Sequence, residues 1–224
     1  LHLSIRRQRQ MCIWDSNSGY TSSNNTYIYV GLDDDEKPYL KDRLQAKLKA
    51  SDILLCGANG MGFFHIEKSV WINGHFSRPN HESGGVCIIS QSGSGVAGII
   101  DCEERINLNL SVSSGSELTV GAEDYLDYIL HQKSTTVVGM FLETIRKPEK
   151  MIHAFELANE KKIPIIVLKT GRTERSAELT VSHSGGLAGV DDYYNALFKK
   201  YGIQRVADMD ELATTLIMFD QPYE

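Results

Sequence analysis

The sequence predicts an α/β protein built around a doubly wound parallel sheet. Between residues 85 and 220, five short apolar runs alternate with segments of helical spacing. The apolar runs are continuous, as is typical of parallel strands that are buried on both faces. Five such strand–helix units predict one layer of parallel strands with helices on both sides.

The chain before residue 85 follows a different pattern. Residues 1–26 have no helical or strand period, contain a stretch rich in Ser, Asn and Gly, and are predicted to be irregular or disordered. A single strand–helix–strand unit is predicted next, with its elements at 27–31, 33–49 and 52–56. Because one such unit is too small to be a domain, we interpret residues 27–75 as the C-terminal remnant of a preceding α/β domain. Residues 63–84 show no clear period and are predicted to be an irregular connection that contains the domain boundary.

A complete second domain is predicted over residues 85–220. Its predicted strands are 86–90, 108–113, 136–143, 163–169 and 203–206, and its predicted helices are 94–105, 122–132, 148–162, 191–201 and 208–219. Pro148 in a first turn, Gly202 just past a helix and Asp208 just before one match the residues preferred at helix ends. The commonest order of five such strands is 2-1-3-4-5, as in flavodoxin. This order predicts a site at the C-terminal ends of strands one and three.

Composition excludes several classes of function. The net charge is -6 and no basic stripe is present, so nucleic acid is not an expected partner. The longest apolar runs are too short to span a bilayer. None of the four cysteines forms a C-x-x-C pair, so no metal site is expected, and the thiols predict a reduced, cytoplasmic protein. An acidic protein that handles anions must bind them locally, with backbone N–H groups and helix ends.

The turn after strand one is a candidate anion site. Its sequence, SQSGSG at residues 90–95, leads directly into a helix. Ser92, Gly93 and Ser94 allow close approach of a phosphate or carboxylate to the helix N-terminus. The alternative is an ordinary serine N-cap in a tight turn. A hydrolase nucleophile elbow is disfavoured because G-x-S-x-G is not matched.

Two further strand ends carry candidate residues. Glu143 ends strand three, where a carboxylate is either a site residue or a solvated strand end. The loop after strand four contains SHSGGLAG at 182–189, in which His183 is either a surface residue or a nucleophile toward a phosphoryl group. Glu143 would then fix the tautomer of His183. The small residues at 113–116 follow strand two and form either part of the site rim or a plain loop.

Together these motifs resemble the ADP-forming acetyl-CoA and acyl-CoA synthetases, relatives of the succinyl-CoA synthetase α subunit. The resemblance rests on the sequences at 90–93, 167–172 and 182–189 together with Glu143, and it runs from about residue 27 to residue 219. The sequence GANGMG at 57–62 resembles a turn of the same family. The resemblance implies a flavodoxin-like domain at 85–220 that is preceded, at 27–75, by the partial tail of a Rossmann-like CoA-binding domain.

The resemblance also implies a mechanism and a set of partners. A small carboxylic acid, CoA and ATP become acyl-CoA, ADP and phosphate through an acyl phosphate and a phosphohistidine at His183, with Glu143 as its partner. The implied phosphate-binding residues are Ser92, Gly93, Ser94, Ser184, Gly185 and Gly186, and the implied CoA-binding residues are Asn59, Ser114 and Gly115. ATP and Mg²⁺ are expected on a partner ATP-grasp domain or subunit, without which the chain is expected to be incomplete. An oligomer is also expected.

Two other functions remain as alternatives. The same fold serves in acyl-CoA-sensing or interaction domains, which need neither His183 nor Glu143. A flavin-binding protein of flavodoxin type would use the same crevice, but flavin binding calls for aromatic residues beside the phosphate loop, and residues 90–95 include none.

Overall fold

The computed structural model describes residues 40–57, 59–73, 82–102, 105–171 and 191–221. Within these ranges the chain forms one seven-stranded sheet and six helices. In chain order the elements are α1 (Leu40–Lys49), β1 (Gly62–His65), β2 (Val70–Asn73), β3 (Val86–Ser90), α2 (Gly93–Cys102), β4 (Leu108–Ser113), α3 (Ala122–Leu130), β5 (Val137–Leu142), α4 (Pro148–Lys161), β6 (Ile165–Lys169), α5 (Asp191–Lys200), β7 (Gln204–Val206) and α6 (Met209–Asp220). None of the described helices is long and apolar enough to cross a membrane.

The sheet has the strand order β2-β1-β4-β3-β5-β6-β7. The five strands from β4 to β7 in this order are parallel, whereas β1 and β2 are antiparallel to their neighbours. The parallel strands therefore have the predicted order 2-1-3-4-5. The predicted flavodoxin-like, doubly wound sheet is confirmed, and the structure adds two antiparallel strands at the edge beside β4.

Both faces of the parallel sheet are buried, which explains the continuous apolar runs. In β3, Cys87 and Ile89 belong to the core beneath α3, α4 and α5, whereas Val86 and Ile88 belong to the core beneath α2 and α6. A Cβ atom on Gly139 of β5 would lie 2.8 Å from a methyl carbon of Leu216. The missing side chain thus lets α6 pack directly on the strand.

The helix ends follow the signals in the sequence. Pro148 is the first residue of α4, where its missing N–H costs no hydrogen bond. The Asp208 carboxylate accepts the Glu211 N–H at 2.8 Å and caps α6. Gly202, just after α5, has φ +65°, a conformation that favours glycine. The Asp208 cap and the glycine past α5 were both predicted, and both are confirmed.

The prediction of an irregular connection over residues 63–84 was wrong for residues 63–73, because residues 62–73 are ordered strands and a turn. These residues form a β-hairpin, and β1 pairs with β4 from Gly62↔Ser113 to His65↔Leu110. Phe64 is buried in the core and stacks on Trp71 with ring centroids 5.0 Å apart. Strands of four residues are too short to show a period, so only the pairing of β2 with β1 and of β1 with β4 reveals them. The hairpin belongs to the flavodoxin-like sheet, although it precedes the predicted domain start at residue 85.

The predicted strand at 52–56 is also wrong. This segment has no strand neighbour among the described residues, and the Thr119 side chain bonds to the backbone of Leu55 instead. Leu55 N–H donates to Thr119 Oγ1 at 2.8 Å, and that hydroxyl donates to Leu55 O at 3.2 Å. Leu55 is buried against Leu48 and Leu118. The apolar character of Leu55 therefore reflects packing against neighbouring side chains and not membership of the sheet. The predicted strand at 27–31 and residues 33–39 of the predicted helix lie outside the described residues, as do residues 1–26.

Candidate functional site

The two strand ends at the predicted switch point lie side by side. β3 is central in the sheet, and Ser90 at its end pairs with Phe141 of β5. The following N–H, that of Gln91, donates to the Phe141 carbonyl at 3.1 Å. The turn after β3 and the segment after β5 are therefore in direct contact at the carboxyl edge, where ligands bind in open α/β sheets.

The turn after β3 leads into the N-terminus of α2. Ser92 Oγ accepts the Gly95 N–H at 3.2 Å, which is N-cap geometry, and lies 3.2 Å from Ser94 Oγ. A Cβ atom on Gly93 would lie 2.5 Å from Met61 Cγ, so this glycine also serves packing. The first N–H groups of the helix have no partner within it and lie at the positive end of its dipole. Ser94 is exposed, so an anion can reach this helix start.

Glu143 lies at the predicted position, immediately after β5. Glu143 is only 7% exposed. The interpretation of Glu143 as a solvated strand end is therefore wrong. Its backbone N–H and that of Thr144 both donate to Gln91 Oε1, at 2.7 and 2.9 Å. The segment that carries Glu143 is thus fixed by a side chain from the turn after β3.

Gln91 and Glu117 are the residues that the sequence analysis missed. Gln91 entered that analysis only as part of the turn motif at residues 90–95 and was assigned no role, and Glu117 was not considered. In the structure, Gln91 Nε2 donates to Glu117 Oε2 at 3.0 Å and to the Thr144 carbonyl at 2.8 Å. Both side chains are buried. A Gln between small residues at a strand end was the available signal, but no spacing rule connects it to Glu117.

Donors surround the Glu117 carboxylate. Ser114 Oγ and the Ala122 N–H donate to Oε1 at 2.7 and 2.9 Å, while Gln91 Nε2 and Arg146 Nε donate to Oε2 at 3.0 and 3.2 Å. Burial nevertheless raises the pKa of Glu117 to about 7, and the nearby Glu123 adds to this, against the lowering effect of Ser114, Arg146 and Gln91.

The three residues predicted to bind CoA lie on two segments that touch. A Cβ atom on Gly60, next to Asn59, would lie 3.3 Å from the Gly115 nitrogen, and Met61 N–H donates to Ser113 Oγ at 2.9 Å. Asn59 is exposed, whereas Ser114 is buried and its hydroxyl donates to Glu117. Asn59 and Gly115 both have positive φ, 59° and 58°.

A buried lysine also lies at the carboxyl edge. Lys169 ends β6 and is 1% exposed. Its ammonium group donates to the Thr170 carbonyl and lies 4.4 Å from the centroid of the Tyr194 ring. Burial lowers the pKa of Lys169 to about 8; Asp191 and Glu143 act against this lowering, and Arg205 adds to it. The sequence analysis assigned Lys169 no role, although it ends a buried strand just as Glu143 does.

The loop after β6 begins beside Glu143. Lys169 pairs with Leu142, and the Thr170 N–H donates to the Leu142 carbonyl at 2.9 Å. The start of this loop is thus bonded to the residue that precedes Glu143. The predicted site residues His183, Ser184, Gly185 and Gly186 lie farther along the chain, outside the described residues.

Comparison with known proteins gives one consistent family match. A sequence profile described as "Succinyl-CoA ligase like flavodoxin domain" matches residues 83–219, which is more than half of the 224 residues. The ADP-forming acetate–CoA ligase of Methanocaldococcus jannaschii is 34% identical over 182 residues. That alignment covers 80% of this chain and 25% of the relative.

Two further relatives agree with this match. The alpha subunit of the ADP-forming acetate–CoA ligase I of Pyrococcus furiosus is 31% identical over 142 residues, which are 62% of this chain and 30% of that subunit. The solved structure of the dinucleotide forming acetyl-coenzyme A synthetase 1 of Ca. Korarchaeum cryptofilum, in complex with phosphate and ADP, is 26% identical with a TM-score of 0.70. It covers 80% of this chain and 39% of that chain. The chain therefore spans well under half the length of these relatives.

Proposed function

The chain belongs to the family of succinyl-CoA ligase-like flavodoxin domains, and from this premise we propose that it is the phosphohistidine-carrying module of an ADP-forming acyl-CoA synthetase. The enzyme would convert a carboxylate, CoA and ATP into acyl-CoA, ADP and phosphate. One observation carries the proposal: Glu143 is a buried carboxylate beside the start of the loop that contains His183. The ADP-forming acetate–CoA ligases among the relatives support it.

In the proposed mechanism His183 carries the phosphoryl group between two sites. One ring nitrogen attacks the γ-phosphorus of ATP, and ADP leaves. Glu143 accepts a hydrogen bond from the other ring nitrogen, which fixes the tautomer and raises the basicity of the attacking nitrogen. The acid's carboxylate then attacks the phosphorus, the N–P bond breaks, and an acyl phosphate forms. The CoA thiolate attacks its acyl carbon and releases inorganic phosphate.

The N-terminus of α2 is the proposed phosphate site of this mechanism. The backbone N–H groups of Gly93 and Ser94 would bind phosphoryl oxygens, with the positive end of the helix dipole behind them. Ser92, which caps the helix, holds the turn in shape for this purpose. Ser184, Gly185 and Gly186 would contribute further N–H groups from the His183 loop.

The remaining components belong to the proposed larger enzyme. Asn59 and Gly115 would line the CoA side of the site, and Ser114 would support this wall through its bond to Glu117. Residues 27–75 would be the tail of a CoA-binding domain whose last part, the β1–β2 hairpin, joins the sheet of the domain at 85–220. ATP and Mg²⁺ would bind on an ATP-grasp domain or subunit. The enzyme would be a cytoplasmic oligomer that acts on a small carboxylic acid.

Phosphoryl transfer to the protein tests the proposal without knowledge of the acid. The chain, together with its ATP-grasp domain or subunit, is incubated with Mg²⁺ and γ-labelled ATP or GTP, and intact-mass spectrometry counts the phosphates. We expect one acid-labile phosphate on the wild type and none on His183→Ala, whose circular dichroism spectrum should stay unchanged because a His in a predicted loop holds little structure. Glu143→Ala should be labelled more slowly.

A wild type that takes up no phosphate under these conditions would exclude the synthetase module. The acyl-CoA-sensing alternative would then be preferred, and binding of acyl-CoA without phosphorylation would be its signature. The presence of both His183 and Glu143 favours catalysis, because a sensor needs neither.

A further inference from the structure

One amide side chain holds the segment that carries Glu143. Gln91 Oε1 accepts two consecutive backbone N–H groups, from Glu143 at 2.7 Å and Thr144 at 2.9 Å. Gln91 Nε2 donates back to the Thr144 carbonyl at 2.8 Å. Three bonds from one side chain to two adjacent residues fix both the position and the direction of the backbone at Glu143.

The Gln91 amide is itself fixed in one orientation. Its second Nε2 hydrogen is directed to Glu117 Oε2 at 3.0 Å. An amide group that was turned over would direct its NH₂ at two N–H groups and its oxygen at a carboxylate and a carbonyl. Both contacts would be repulsive in a buried place. Glu117 in turn cannot turn away, because Ser114, Ala122 and Arg146 donate to it.

This chain of contacts joins the loops after three strands. Glu117 lies after β4, Gln91 after β3, and Glu143 after β5, and all three side chains are buried. Buried hydrogen bonds with every partner satisfied restrict motion most strongly. A carboxylate that must meet one nitrogen of an incoming imidazole needs such support, because small misplacements reduce rates steeply.

We propose that Gln91 is a positioning residue for Glu143, and that Glu117 keeps the Gln91 amide in the orientation this role requires. The proposal rests on the proposed function, in which Glu143 orients His183. Gln91 touches neither phosphate nor His183 in this role and acts only through Glu143. Its loss should therefore reduce the rate of His183 phosphorylation only as long as Glu143 is present.

A double-mutant cycle tests this dependence in the protein with its ATP-grasp domain or subunit. Gln91→Glu keeps the shape of the side chain but removes both donors to Glu117 and the Thr144 carbonyl. Single-turnover labelling from γ-labelled ATP is measured for the wild type, Gln91→Glu, Glu143→Ala and the double variant. We expect Gln91→Glu to be labelled about tenfold or more slowly than the wild type. The double variant should be labelled less than about twofold more slowly than Glu143→Ala alone.

Asn109→Asp is the matched control. Asn109 is also a buried amide; it bonds to Glu67, Ser83 and Ser134 and lies near the start of β4, at the edge of the sheet opposite the site. The substitution Asn109→Asp should lower the free energy of unfolding without slowing the labelling of His183. Glu117→Gln is a second probe if Gln91→Glu does not fold, and it should give the same dependence on Glu143.

The outcomes separate the two proposals. No label on the wild type refutes the proposed function and this inference with it. The wild type could be labelled while Gln91→Glu and Glu117→Gln slow labelling by the same factor whether Glu143 is present or replaced by Ala. That result would leave the proposed function standing but would overturn the positioning role of Gln91. Equal slowing by Asn109→Asp and Gln91→Glu would also overturn it, since general destabilisation would then explain the effect.

Discussion

The buried carboxyl group of Glu117 should give the folded protein a pH dependence that one substitution removes. Burial raises the pKa of Glu117 to about 7, from an ordinary value of 4.5. Between these two values the carboxyl group is ionised in the unfolded chain but holds its proton in the folded protein. The folded state therefore binds more protons there, and the free energy of unfolding must fall as the pH rises.

The size of the effect follows from the two pKa values. A difference of about 2.5 pH units at about 1.4 kcal/mol each gives about 3 kcal/mol, present below pH 4.5 and lost by about pH 7. Most of this loss in the free energy of unfolding, about 2 to 3 kcal/mol, occurs between pH 5 and pH 8. The four donors around the carboxylate oppose the shift, and a stronger effect of these donors would make the pH dependence smaller.

Urea unfolding at pH 5 and pH 8 measures the effect. The wild type should lose about 2 to 3 kcal/mol more than Glu117→Gln over this interval, because Gln does not ionise. Glu156→Gln removes an exposed carboxyl group from α4 and should retain the pH dependence of the wild type. If the wild type and Glu117→Gln lose the same free energy between the two pH values, the reasoning from burial is refuted.

Two stability predictions follow from other buried positions. Burial lowers the pKa of Lys169 to about 8, so the unfolded state binds more protons above that pH, and the wild type should gain about 2 kcal/mol over Lys169→Met between pH 8 and pH 10. If urea unfolding shows the same change in the free energy of unfolding for both proteins between pH 8 and pH 10, this prediction is wrong. Gly139→Ala places a methyl group against Leu216 and should cost about 1 to 3 kcal/mol. Gly98→Ala in α2, whose nearest neighbour would be Met209 at 3.8 Å, should be neutral or stabilising; equal thermal stabilities of the two variants would contradict the packing argument.

The sequence by itself predicted the parallel sheet and the edge on which the site lies. Continuous apolar runs such as residues 86–90 and 165–169 identify strands that are covered on both faces, and five of them with helices between allow few chain orders. The positions of Ser92 and Glu143 followed directly, because both immediately follow strands and the strand order brings those ends together. No tertiary information was needed for this part.

Only the tertiary structure revealed the hairpin at 62–73 and the contact between Gln91 and Glu117. The hairpin strands are too short to show a period; β1 is a strand because the edge of β4 offers it hydrogen bonds, and β2 pairs with β1 in turn. Gln91 and Glu117 are 26 residues apart, on loops after different strands. Periodicity reports which face of an element is buried, but it carries no information about which loop side chains meet. That is decided by the lateral order of the strands and by the need of each buried polar group for a partner.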